Sequence, residues 1–231
     1  MIHFYRLKNT LSRAARLGFM SAGLLLFNPL LIACAQTHTE PVVILDTDKG
    51  PITLQLHPDY APKTVALFLK HVDQGFYKDV IFHRVIPNFM AQTGGYGEGF
   101  ERREPLGAVV NESYTGLPNI KGSVAMARTG DPDSATSQFF INVVDNPALN
   151  ANGNEAGYTV FATVTAGLDV AIAITEVARG EHARYGHQDA PNATIHIKTI
   201  SHGEPAKALV FPEASLIDAA NTSTAASQAA Q

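Results

Sequence analysis

From residue 42 onward, short apolar runs alternate with clusters of turn residues. Ile52-Thr53-Leu54-Gln55-Leu56 alternates apolar and polar side chains with period two, and Val42–Thr47 before it is rich in β-branched and apolar residues. Asp48-Lys49-Gly50 supplies turn residues between them, so the pair predicts a β-hairpin. The period then changes. Val65, Phe68, Leu69 and Val72 follow the i, i+3, i+4, i+7 spacing of one helix face, with Pro62 suited to a first turn and Gly75 to a stop. Val170, Ala173, Ile174 and Val177 repeat that spacing and predict a second helix over 168–177. Between the helices lie short β-prone pieces at 80–82, 89–92, 109–111, 123–126, 139–143 and 159–164, and a last strand is predicted at 194–200.

Many short strands with two helices far apart in sequence do not make a βαβ series. They predict a mainly β fold, a closed antiparallel barrel that leaves no exposed edge. No internal repeat is visible. From Glu213 to Gln231, twelve of nineteen residues are Ala, Ser or Thr, too few large apolar groups to support packing, so 204–231 is expected to be a disordered tail.

Charge separates off the N-terminus. Residues 1–33 hold four basic side chains (Arg6, Lys8, Arg13, Arg16) and no acidic one, which leaves 13 of the 17 basic residues against 21 acidic in the remainder, a balance of −8. Leu17 to Ala33 carries no charge and centres on Leu24-Leu25-Leu26-Phe27 and Leu30-Leu31-Ile32. A short apolar run behind a basic head reads as an export signal over residues 1–35. Ala33-Cys34-Ala35 fits cleavage before Gln36 to give a soluble form. Leu31-Ile32-Ala33-Cys34 also resembles the lipobox of bacterial lipoproteins, in which the cysteine is acylated. The single cysteine of the chain stands at that spot, which favours the lipoprotein reading. Both readings place the working domain, about 40–203, outside the cytoplasm, with membrane contact limited to the lipid anchor. One cysteine excludes a disulfide framework and any CxxC site. A net charge of −4 makes a poor nucleic-acid binder.

The chemistry concentrates in Phe82-His83-Arg84-Val85-Ile86-Pro87-Asn88-Phe89-Met90-Ala91-Gln92 and Ser137-Gln138-Phe139-Phe140-Ile141-Asn142. Phe82, Arg84 and Ile86, then Met90 and Gln92, fall on alternating positions of β-type pieces, which puts an Arg, a Met and a Gln on a shared face. A cation among apolar groups is costly unless it has partners or lines a cleft, so spacing alone leaves a surface ion pair and a site arginine both open.

These segments resemble the active-site signature of the cyclophilins, prolyl isomerases built on an eight-stranded barrel capped by two helices. Gly75-Phe76-Tyr77, Lys121 to Ala127 and Gly157-Tyr158-Thr159-Val160-Phe161 resemble further family segments in the family's order, over roughly 41–203. Met126-Ala127-Arg128-Thr129 looks most like the bacterial periplasmic branch. The resemblance implies Arg84 as the catalytic arginine and Phe89, Met90 and Phe140 as a proline pocket. It implies Gln92 and Gln138 as polar substrate contacts, Ala127 and Arg128 as a segment whose backbone pairs with substrate, and Leu149 as the rim. Ala148 stands where the family often has Trp, so cyclosporin-type ligands are expected to bind weakly. Tyr158, a substrate-binding position, stands where His is common. The implied activity is rotation of X-Pro bonds in exported or unfolded chains, by a monomer, with no cofactor or metal.

Other motifs read as structural. His182 and His187, with Asp189, read as a solvated loop, Gly94 to Gly99 as a flexible loop beside the site, and His83 as a core histidine; no G-x-S-x-G elbow is present. The rival from another class is a peptide-binding or chaperone module using the same groove without turnover.

Overall fold

The computed structural model describes residues 40–181 and 189–204. The segment predicted as an export signal, with Cys34, together with His182, His187 and the residues from 205 onward, lies outside the described residues. The predicted hairpin is present as β1 (Val42–Thr47) and β2 (Gly50–Leu56), in register from Val42 opposite Gln55 to Thr47 opposite Gly50. Nine strands form one strongly curled sheet. After the first two come β3 (Val80–Ile81), β4 (Arg84–Ile86), β5 (Met90–Thr93), β6 (Ser123–Met126), β7 (Phe139–Asn142) and β8 (Val160–Ala166). A short hairpin of β9 (Arg179–Gly180) and β10 (Ala190–Pro191) stands apart, and β11 (His196–Gly203) rejoins the main sheet.

The order across the sheet is β3-β11-β1-β2-β8-β6-β7-β5-β4, every pairing antiparallel. The expected mainly β fold is present as a strongly curled sheet of nine strands, open in its pairing order, where a closed barrel of eight was expected. Phe82 and His83 separate the two outer strands, β3 and β4, within one stretch of chain. The Phe82 N–H donates to the Ile195 carbonyl at 2.9 Å, on the β11 side, whereas the His83 N–H donates to the Gln92 carbonyl at 3.2 Å, on the β5 side. One extended segment thus leaves one ladder and joins the other, and supplies both outer strands. The piece at 109–111 forms no strand. Val109 makes a single bridge to Ala135, and Asn111 serves as a strut, its Nδ2 donating to the Gly157 carbonyl at 3.0 Å.

α1 (Pro62–Asp73) buries Val65, Phe68 and Val72 in the core, where the Phe68 ring lies 5.4, 5.6 and 5.0 Å from the rings of Tyr77, Phe139 and Phe161. Ala61 offers no side-chain cap. The carboxylate of Glu112 takes that role, accepting from the Lys63 and Thr64 N–H groups at 3.1 and 2.9 Å, where a negative charge also suits the helix dipole. Gly75, at φ +65°, ends the helix in a left-handed turn that few other residues adopt without strain. α2 (Leu168–Thr175) buries Ala171, Ile174 and Thr175, a face offset from the predicted stripe, with Ala173 exposed and Val170 and Val177 half-buried.

His71 on α1 is buried, its Nδ1 2.8 Å from the Leu67 carbonyl and its Nε2 accepting from the Leu106 N–H at 3.1 Å. Both ring nitrogens are thereby satisfied in the neutral form. Burial holds its pKa below the ordinary 6.5, against the raising effect of the Leu67 carbonyl. Above the ordinary value both folded and unfolded chains carry neutral imidazole. Below it the unfolded chain takes up a proton that the folded one resists, so stability falls with falling pH. The midpoint of thermal unfolding is expected to drop more between pH 7.5 and pH 5 for the wild type than for His71→Gln. Equal slopes would show that His71 titrates as if exposed.

Candidate active site

Alternation along the strands sorts the apolar residues into two clusters on opposite faces. Val85, Ala91, Val124, Met126, Phe139, Ile141 and Phe161 point into the main core. Met90, Ala125, Phe140 and Val160 face the other way, joined by half-buried Ile86, Phe89, Ala127, Leu149 and Tyr158. Register lines up the functional candidates. Arg84 is opposite Gln92, Gln92 opposite Phe140, and Phe140 opposite Ala125, so one row crosses four strands on the outer face. Arg84, Met90 and Gln92 share that face, as the period-two reading expects. Phe82 does not. It lies in the main core, because the switch of ladders at Phe82–His83 breaks the alternation.

The β4–β5 turn sets the cleft's mouth. The Phe89 N–H closes a turn onto the Ile86 carbonyl at 3.2 Å, with Pro87 leading and Asn88 at φ +54°, a left-handed conformation that Asn tolerates. The result is a cleft of about 70 Å³ lined by Arg84, Phe89, Met90, Gln92, Phe140, Leu149 and Tyr158. Phe140 and Tyr158 meet edge to face, ring centroids 5.6 Å apart. The floor is apolar, Met90 and Phe140 being 2 % and 4 % exposed, while the Arg84 side chain at the edge is 35 % exposed. An apolar floor beside a cation and an amide is a setting for a small apolar ring carrying an adjacent carbonyl.

A second depression adjoins the first through Gln92 and holds the remaining predicted residues, Ala127, Arg128 and Gln138, with Arg102, Thr129, Ser134 and Thr136. The Gln92 Nε2 donates to the Gln138 Oε1 at 3.0 Å, which fixes both amides at the junction. Gly95 packs against that pair. A Cβ there would stand 2.6 Å from the Gln138 side chain, so a larger residue would displace that amide from its bond with Gln92. The glycine-rich segment is accordingly tied down, with the Ser137 Oγ donating to the Gly94 carbonyl at 2.8 Å. The Arg128 guanidinium braces the rim, donating from Nε to the Gly157 carbonyl at 3.1 Å and from Nη2 to the Ala156 carbonyl at 2.6 Å, with Cζ 4.8 Å from the Tyr158 ring centre.

Two supports were not visible in the sequence. Buried Asn142 donates to Asn119 and Ser123, and Asn146 donates to Asn142 and to the Phe89 carbonyl at 3.1 Å. Asn119 in turn donates to the Leu149 and Tyr158 carbonyls, both at 3.2 Å. This amide network ties three loops around the cleft. The second support is Asp189, 3.7 Å from the Arg84 Nε. His83 is buried beside the Tyr96 ring, away from the cleft lining.

Comparison with known proteins agrees with this arrangement. Residues 42–202 match the family described as Cyclophilin type peptidyl-prolyl cis-trans isomerase/CLD. Peptidyl-prolyl cis-trans isomerase B of Escherichia coli is 43 % identical over 166 residues, covering 71 % of this chain and 100 % of that protein. The isomerase cyp18 of Streptomyces antibioticus is 47 % identical over 160 residues, covering 68 % and 95 %. Among solved structures, a cyclophilin type isomerase of Cryptosporidium parvum superposes with a TM-score of 0.60 at 27 % identity, covering 71 % of this chain and 98 % of that one. The curled sheet with two helices, the outer-face cleft and these likenesses agree, and the chain belongs to the cyclophilin-type peptidyl-prolyl cis-trans isomerases.

Proposed function

We propose that this isomerase acts on proline-containing segments of unfolded or flexible chains in the bacterial cell envelope, with Arg84 as its catalytic group. The observation that carries the reading is the placement of one guanidinium at the edge of an apolar, ring-sized cleft. A peptide bond resists rotation with a barrier of about 18–20 kcal/mol because resonance keeps it planar. Cis and trans X-Pro forms differ by only about 1 kcal/mol, yet exchange takes tens of seconds or more. In the twisted transition state resonance is lost and the prolyl nitrogen regains a basic lone pair. A donor aimed at that nitrogen finds an acceptor in the transition state and none in the ground state, so it lowers the barrier selectively. Arginine suits this because it stays charged and carries a rigid donor fork.

Phe89, Met90 and Phe140 would hold the pyrrolidine ring, with Leu149 and Tyr158 at the rim and Gln92 and Gln138 holding substrate carbonyls. The Ala127 N–H already donates to the Gln138 carbonyl at 2.9 Å, so pairing with a substrate backbone at Ala127 falls to its carbonyl. The chemistry needs no cofactor or metal, and a monomer suffices. A binding module with the same groove has no need of the arginine. Exchange of a short X-Pro peptide, measured with and without Arg84→Ala, separates the two: an enzyme loses turnover, whereas a binding module shows none to lose.

The export signal over 1–35 and the lone Cys34 support a lipid-anchored envelope protein. In a bacterial host, Cys34→Ser is expected to block acyl labelling and move the protein out of the membrane fraction. Unchanged labelling or fractionation would remove the lipoprotein reading and leave cleavage before Gln36.

A further inference from the structure

We infer that Asp189 is a positioning residue for Arg84, and that Arg179 holds Asp189 in turn. The inference rests on the reading of Arg84 as the catalytic group. The Asp189 carbonyl accepts from the Val85 N–H at 2.8 Å, which seats this residue against β4 beside Arg84. Its carboxylate then lies between two guanidiniums, Oδ2 3.7 Å from the Arg84 Nε and Oδ1 3.5 Å from the Arg179 Nε. Arg179 is brought there by the β9–β10 register, in which it stands opposite Pro191 and Gly180 opposite Ala190.

The side chains of Arg84 and Asp189 are each about a third exposed, so the pair is screened and contributes little to stability. Its consequence is directional. Arg84 meets the carboxylate through Nε, which leaves its terminal Nη groups for the cleft that it lines. A long, otherwise mobile side chain is thereby biased toward one orientation before substrate arrives, the condition under which a transition-state donor is most effective. The single carboxylate also offsets the repulsion between two cations brought close together. Arg84 itself is on β4, whereas Asp189 and the Arg179 that holds it come from a stretch about a hundred residues later in the chain.

The test is a double-mutant cycle on the full chain, with X-Pro peptide exchange followed by NMR, peptide affinity measured separately, and thermal unfolding as the fold control. Asp189→Asn is expected to lower kcat about fivefold, the order of a directly coupled pair, with peptide affinity unchanged. Arg179→Gln, at a half-exposed position, shifts kcat the same way by less. In an Arg84→Ala background neither change has any further effect on the residual rate. The inference is overturned if folded Asp189→Asn exchanges peptide at the wild-type rate, or if its fivefold loss persists without Arg84. Wild-type turnover by Arg84→Ala alone would instead remove the role of the arginine, an outcome that the Asp189 arms do not mimic.

Discussion

Arg84→Ala lowers kcat/KM for X-Pro exchange by about a hundredfold or more, the order seen when one transition-state donor is removed. The loss falls on kcat. The apolar floor of Met90 and Phe140 and the Phe89 wall survive the change, so the ground-state peptide still has its surface. The fold survives too, because the side chain lies on the outer face at the cleft's edge and leaves no void in the main core. Arg84→Lys keeps the charge but loses the planar fork, and recovers only a small part of the rate. Exchange rates with thermal unfolding as control check this; a folded alanine variant within about twofold of wild type would refute it.

Phe68→Ala gives the complementary result. Phe68 is 1 % exposed at the junction of α1 with the sheet, where it meets Tyr77, Phe139 and Phe161. Removing a buried phenyl costs about 3–5 kcal/mol, since neighbouring rings relax only partly into the space. For a domain of this size that corresponds to a drop of about 10 °C in Tm. The cleft belongs to the other apolar cluster, so the fraction that remains folded keeps near wild-type kcat/KM. Calorimetry beside an activity assay well below the midpoint checks both halves. A variant that kept its Tm, or that lost turnover while fully folded, would show the two faces to be coupled.

Local pattern placed site residues on one face where strands stay regular, while their roles came from the family resemblance. Arg84, Met90 and Gln92 share a face because β4 and β5 pair in simple register, whereas Phe140 was named by the resemblance and only the β5–β7 register sets it opposite Gln92. It failed at Phe82, where the chain exchanges one hydrogen-bonding partner for another, a choice made by β11 and β5 and not by Phe82 itself. The same exchange divides one stretch of chain into two short strands, β3 and β4, at opposite ends of the pairing order. Val109 to Asn111 looked like a strand by composition, but its partner is one residue, Ala135. Asn119, Asn142 and Asn146 gave no warning of a network. Asn side chains are ordinary loop residues in a sequence, and only the folded loops bring these amides within 3.2 Å. Asp189 was read only as part of a solvated loop with His182 and His187, its carboxylate being meaningful only beside Arg84.

The most direct measurement titrates a short X-Pro peptide into the isotope-labelled protein and records exchange cross-peaks with residue-by-residue shift changes. Cis–trans exchange of the peptide should quicken to a rate measurable by NMR, with the largest shifts at Arg84, Phe89, Met90, Gln92, Phe140 and Tyr158, the lining of the cleft. No acceleration by the folded protein, or acceleration with shifts confined to another surface, would contradict the assignment of the outer-face cleft as the isomerase site.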